Sequence, residues 1–445
     1  MSTASFRPRV LVIAEAANPE WVSVPLVGWS MAQALGEVAD IHLVTQIRNR
    51  EAILRAGLVE GQDFTAIDSE AIARPLWKLG NLLGGGKGKG WTISTAVAVV
   101  SYPYFEHLIW KAFGDAIRAG EYDIVHRVTP LSPITVSPIA AKCAAAGIPF
   151  VMGPLNGGVP WPKGFEAVRK AEGEWLSRFR DVRKLFPGRN RMLKATRAIL
   201  AGSRQAVREV PAAFADRTVW LPENAIDTAR FNRVAPQNTA GPLRACFIGR
   251  LVPCKGVDML IEAAAPVLTA GRMHLDIVGD GPERGRIEAL VSQFGLGSSV
   301  TFHGMVDHHR VQDLVVDSNV LTFPSIRDFG GGVVLEAMAL GVVPIVVDYA
   351  GPGELVVAGT GYKIPISSRD QIVADLRRQL ERIVADPGDL PAIGACAREH
   401  VLANYTWSAK AHQVREVYDW VLGRRVDRPD FAATQTGAAV SSGGS

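Results

Sequence analysis

Leu243-Arg244-Ala245-Cys246-Phe247-Ile248-Gly249-Arg250-Leu251-Val252-Pro253-Cys254-Lys255-Gly256 runs from a short apolar segment through a glycine into a loop with two cations, and residues 257–269 then read as an amphipathic helix. An apolar run of strand length that ends in a turn and opens a helix is the start of a βα unit, buried on both faces. Downstream, strands are expected at 273–278, 300–302, 320–323 and 344–347, with helices at 257–269, 283–294, 311–317 and 334–339. This alternation predicts a doubly wound parallel sheet, with its ligand edge at the carboxyl ends of the strands.

Upstream of the quoted stretch the same rhythm recurs in weaker form. Apolar runs at 10–14, 41–45, 124–126, 149–152 and 199–201 alternate with helical stretches such as 27–35. A chain of 445 residues holds two or three units at roughly 150 residues each, so a second α/β domain is expected before the first. Asn, Asp, Ala and Pro collect at 221–242, which reads as the linker. The expected division is 1–220, 221–405 and a helix at 406–427, followed by a polar, disordered tail at 431–445.

Composition narrows the function classes. Lys plus Arg number 48 against 44 Asp plus Glu, a net charge of +4 that does not call for nucleic acid. The four cysteines, Cys143, Cys246, Cys254 and Cys396, have no metal-ligand spacing and suit reduced thiols in a cytoplasmic protein. The N-terminus lacks the apolar core of a signal peptide. The most apolar region, 91–113, is broken by Ser101, Pro103, Glu106 and His107, so no spanning helix is expected. Gly84 to Gly90, with Lys87 and Lys89, reads as a flexible basic loop.

Two loops carry the chemistry. In the first, Arg250 and Lys255 flank a helix start, where free amides, the helix dipole and two positive charges suit a diphosphate. Ordinary solvated residues of a βα loop would look the same. In the second, Pro324-Ser325-Ile326-Arg327-Asp328-Phe329-Gly330-Gly331-Gly332-Val333-Val334-Leu335-Glu336 sets three glycines between two carboxylates. Such glycines let main chain approach a ligand and present successive amides. A capped glycine turn with a surface glutamate is the alternative.

Together with Val278-Gly279-Asp280-Gly281-Pro282-Glu283, Leu221-Pro222-Glu223-Asn224-Ala225-Ile226-Asp227, Phe302-His303-Gly304 and Tyr405-Thr406-Trp407-Ser408, these loops resemble the family 4 retaining glycosyltransferases, or glycosyltransferase group 1. The resemblance covers nearly all of the C-terminal half. It implies the GT-B fold: two Rossmann-like doubly wound domains facing across a cleft, with a C-terminal helix crossing back to the first. It also implies a nucleotide diphosphate sugar as co-substrate, no resident cofactor and no metal. Arg250 and Lys255 match the pair that neutralises the donor diphosphate. Asp328 and Glu336 match the ends of the Glu-x7-Glu motif, the first contacting the sugar near the reacting ring and the second the ribose. Phe329, Gly330, Gly331, Gly332 and Val333 would line the sugar and phosphate, and Val306 the base. The first motif carboxylate is Asp here, one methylene short.

The N-terminal half resembles the family less closely and is expected to bind the acceptor, a glycan, lipid-linked or small molecule. His126, at the end of a strand, is a candidate for the reaction centre or a packed histidine. Asn156, Gly157 and Gly158, within Gly153-Pro154-Leu155-Asn156-Gly157-Gly158, either face the acceptor or form a rigid turn. Between 163 and 197, Arg169, Lys170, Arg178, Arg180, Arg183, Lys184, Arg189, Arg191 and Lys194 interleave with Phe165, Trp175, Phe179 and Phe186. With Trp77, Lys78, Lys87 and Lys89 they suit a peripheral hold on an anionic inner-leaflet surface, a charged, solvated helix, or a polar or anionic acceptor approaching the N-domain. Three rival readings are a dehydrogenase, a nucleotide-sugar epimerase of GT-B-like fold and a non-catalytic sugar-nucleotide-binding protein. For the dehydrogenase, Gly279-x-Gly281 lacks a third glycine in register and the acidic ribose ligand.

Overall fold

The computed structural model describes residues 6–71, 90–172, 188–307 and 310–432. They form two compact α/β units. In the first, the described strands are β1 (Arg9–Ala14), β2 (Asp40–Gln46), β3 (Phe64–Ile67), β4 (Ile124–Thr129), β5 (Phe150–Leu155), β6 (Thr196–Ala201) and β7 (Thr218–Trp220). They lie side by side in the order β3-β2-β1-β4-β5-β6-β7, all parallel. Val10, Val12 and Ala14 of β1 point to one covered face, and Leu11 and Ile13 to the other.

In the second unit β8 (Leu243–Ile248), β9 (Met273–Val278), β10 (Val300–Gly304), β11 (Val320–Phe323), β12 (Val343–Asp348) and β13 (Tyr362–Pro365) lie in the order β10-β9-β8-β11-β12-β13, again parallel. Chain order reverses between β8 and β11, which pair through Ala245 with Val320 and Cys246 with Leu321. The crevice at such a reversal, beyond the strands' carboxyl ends, is where open α/β sheets take ligands. Both loops singled out from the sequence leave from this point.

The strands the sequence did not reveal, β3, β7 and β13, are all edge strands. β3 and β13 are short strands with mostly exposed or half-buried positions, and β7 is only three residues long, so none gives a run of ordinary strand length. The apolar region at 91–113 lies within one helix, Gly90–Arg118, which contains Pro103 and buries Tyr102, Phe105, Ile109 and Ile117 against the first sheet. Among the described residues no helix is long and apolar enough to cross a membrane.

Three expectations need correction. The segment 221–242 is not an open linker: the chain enters the second unit at Asn224, and Ile226, Phe231 and Ala235 are buried in that unit's core. Residues 158–172, expected in the first unit, pack with the second, where Phe165 is a core residue rather than a surface aromatic. Phe431, placed in the expected tail, is buried in the first unit's core, because an aromatic side chain gains by covering apolar surface there. Residues 77, 78, 84–89, 175–186 and 433–445 of the basic loop, basic segment and tail lie outside the described residues. The helix Trp407–Val421 packs in the first unit through Ala411, Val414, Val417 and Tyr418.

Candidate functional site

Beyond β8 the chain turns at Gly249, exposes Arg250, and forms a short 3-10 turn, Pro253–Lys255, before the helix Val257–Thr269. The loop after β9 presses against this one. A side chain at Gly279 would stand 2.0 Å from the Gly249 carbonyl oxygen, and one at Gly281 would stand 2.3 Å from that of Leu251. These two glycines therefore serve loop-on-loop packing, which accounts for them without a dinucleotide.

The loop beyond β11 is stitched to the 3-10 turn by its own backbone. The Ile326 amide and the Ser325 hydroxyl both donate to the Cys254 carbonyl, at 3.0 and 3.2 Å. That seam brings Lys255 to Asp328, 73 positions away, as a partly buried ion pair and hydrogen bond. The Lys255 ammonium also lies 4.9 Å from the centre of the Phe323 ring. The second oxygen of Asp328 accepts the Gly331 amide at 2.9 Å. Gly331 has φ +60°, a conformation that disfavours any side chain, and it opens the helix Gly332–Ala339.

Arg250 makes no side-chain hydrogen bond or ion pair among the described residues and is exposed. Glu336 lies on the second turn of the Gly332–Ala339 helix. Burial raises its carboxyl to about 7, against the opposing pull of Arg230. Phe329, Gly330, Gly332 and Val333 are half-buried around the glycine turn, and Val306 packs half-buried on the second unit's core in the turn after β10. The residues expected to meet a donor all belong to the second unit. Among the described residues no group of three or more His, Cys, Asp or Glu is placed to hold a metal ion.

Within the strap at 158–172 only Gly158, Phe165, Arg169 and Lys170 were given roles by the sequence, as acceptor or membrane contacts, and Arg327 was given none. Buried Arg327 donates through Nε–H to the Val159 carbonyl at 3.1 Å, and its guanidinium carbon sits 4.7 Å from the Trp161 ring centre and 5.4 Å from that of Phe329. Tyr349 donates its hydroxyl to the Pro160 carbonyl at 2.9 Å. At the far end of the strap, Glu172 Oε1 accepts the Cys254 amide at 3.1 Å. The strap therefore ties the loops after β8, β11 and β12. Val159 and Arg327 are 168 positions apart, and no local spacing announces such a contact.

The first-unit candidates fare differently. His126 is completely buried, and both ring nitrogens are engaged. The Gly153 carbonyl only accepts, so Nε2 carries the proton and donates to it at 2.8 Å, while Nδ1 accepts from the Tyr418 hydroxyl at 2.7 Å. Burial lowers its pKa to about 4. It sits as a neutral, packed histidine, one of the two readings the sequence left open. The Asn156 amide donates to the Glu223 carboxylate, which removes it as a ready acceptor ligand. Lys410 is fully buried, and its ammonium is brought down to about 7 by burial, opposed by the charge of Glu223. Gly157 lies against Pro133, and Gly158 belongs to the second unit's strap. Glycines 157 and 158 serve the turn into the strap.

Comparison with known proteins agrees with this geometry. Residues 229–385 match the family described as glycosyl transferases group 1. The chain is 30% identical over 173 residues, 39% of its length, to alpha-D-kanosaminyltransferase of Streptomyces kanamyceticus. It is 30% identical over 206 residues, 44% of its length, to D-inositol 3-phosphate glycosyltransferase of Gordonia bronchialis. The matches span 44% and 43% of those two relatives, so the chain covers less than half the length of either. Over 94% of this chain and all of the other, the fold is similar to sucrose-phosphate synthase from Thermosynechococcus elongatus, with TM-score 0.58 at 19% identity. Residues 229–385, which include the glycine cradle, Lys255 and Glu336, match the glycosyl transferases group 1, and the chain has the GT-B fold of two Rossmann-like units.

Proposed function

We propose that the protein is a glycosyltransferase that moves a hexosyl group from a nucleotide diphosphate sugar to a glycan, lipid-linked or small-molecule acceptor, with retention at the anomeric carbon. One observation carries the reading: Arg250, Lys255 and the amides of the glycine turn converge at the chain-order reversal of the second sheet. Cleavage of the glycosyl bond leaves negative charge on the diphosphate. Groups already aimed at that charge stabilise the transition state more than the ground state. In this reading Asp328 and Glu336 meet the sugar and ribose, Phe329, Gly330 and Gly332 line the sugar and phosphate, and Val306 flanks the base. Two relatives, a kanosaminyltransferase and a D-inositol 3-phosphate glycosyltransferase, support the class. Retention rests on the family resemblance. Exposed Arg191, Lys194 and Arg197 suit an anionic headgroup if the acceptor is lipid-linked.

A thermal-shift screen of nucleotide diphosphate sugars, followed by product analysis with the best donor, tests the reading. Sugar recovered in a glycan or lipid fraction is the expected result. Epimerised donor, reduced nucleotide or binding without turnover would replace it with one of the rival functions.

Glu336 adds a pH dependence. Its raised carboxyl is largely neutral below about pH 7 and ionised above. Only the ionised form accepts hydrogen bonds from two vicinal hydroxyls with both oxygens. Nucleotide affinity is therefore expected to rise severalfold between about pH 6 and 8, measured by calorimetry, and Glu336→Gln to flatten that rise. An unchanged profile in the variant removes Glu336 from the ribose.

A further inference from the structure

We propose that Asp328 is an internal counter-ion that lets the site prefer a sugar-bearing donor over the bare nucleoside diphosphate; this rests on the donor-site reading above. One carboxylate joins the two loops at the chain-order reversal. It pairs with the Lys255 ammonium through one oxygen and accepts the Gly331 amide at 2.9 Å through the other. Those two groups, one a cation and one a main-chain donor in the glycine turn, are what a phosphate entering here would use. Asp328 stands where a phosphate charge is expected.

The pair is shielded, with 19% of the Lys255 side chain and 16% of the Asp328 side chain exposed. A surface ion pair is worth little, but shielding strengthens the attraction and also the penalty for leaving either charge alone. An ammonium has three protons and can be shared, whereas an amide has one. A phosphate that takes the Gly331 amide must therefore displace Asp328, and carboxylate and phosphate left side by side repel each other.

What happens to the displaced carboxylate separates two ligands. A nucleotide sugar brings hydroxyls that donate hydrogen bonds to it, so its charge is satisfied again. A bare nucleoside diphosphate brings only its ribose hydroxyls, which Glu336 is proposed to hold, so the displaced carboxylate gains no new donor and stays half-buried beside the phosphate charge. The site thus favours the donor before transfer. Once the glycosyl group has left, return of Asp328 to Lys255 and Gly331 opposes retention of the nucleotide product.

Calorimetric titration with UDP, GDP, ADP and dTDP tests this in the wild type, in Asp328→Asn and in Asp328→Ser, with thermal melts to confirm that each variant is folded. The amide oxygen of Asn can still accept Gly331, so geometry is kept while the charge goes. Whichever diphosphate binds is expected to bind roughly three- to ten-fold tighter to Asp328→Asn than to the wild type. The corresponding nucleotide sugar should lose its advantage over the diphosphate. Equal or weaker diphosphate binding in the folded Asp variants overturns the proposal, and so does a nucleotide sugar that keeps its full advantage over the diphosphate in Asp328→Asn. If the wild type binds none of the four diphosphates, the donor-site reading falls first and takes the proposal with it.

Discussion

Arg250→Ala is expected to lower kcat by roughly 10²- to 10³-fold while leaving the melting temperature unchanged. The two halves of this expectation have separate causes. Arg250 is exposed and makes no side-chain bond or ion pair among the described residues, so truncating it removes no packing and orphans no partner. It lies in the loop that leads into the 3-10 turn Pro253–Lys255, where the departing diphosphate is proposed to gather charge. An interaction that strengthens as charge develops acts on kcat more than on donor affinity. Arg250→Lys keeps the charge and loses the fork, so an intermediate kcat is expected. Lys255 is the less clean test. Its removal also leaves the Asp328 carboxylate without its cation, adding a repulsion to the loss. Near-normal turnover in Arg250→Ala would withdraw the diphosphate assignment of this loop.

The donor edge was legible because the strands that build it are central. β8, β9, β11 and β12 lie inside the sheet and are largely apolar, and Gly249 and Gly279 directly follow β8 and β9. The edge strands β3, β7 and β13 lack that signature. Pairing between distant loops was not legible at all. Asp328 could be singled out as a shortened carboxylate, but nothing in its neighbourhood names Lys255 as its partner. The strap at 158–172 was misassigned for the same reason. Its turn, glycines and Trp161 fit a loop of the first unit equally well, and only contacts with Arg327, Tyr349 and Cys254 assign it to the second.

His126 shows the limit most sharply, because it lies inside β4, Ile124–Thr129, rather than at the strand end expected, and its environment was not visible. Replacing it with Ala is expected to cost about 3 kcal/mol of stability in the first unit. The change takes the partner from the Gly153 carbonyl and from the buried Tyr418 hydroxyl, and it opens a cavity beneath the helix Trp407–Val421. A urea titration should show the first unit unfolding at lower denaturant, while kcat per folded molecule stays within about two-fold of the wild type. The pKa near 4 reinforces the point: burial keeps the ring neutral throughout the neutral pH range. A proton-transfer group working near pH 7 needs a pKa near that pH and a path to substrate. His126 has neither, since its two nitrogens are spent on Gly153 and Tyr418. A large fall in kcat with unchanged stability would reverse this assignment and return His126 to the reaction centre.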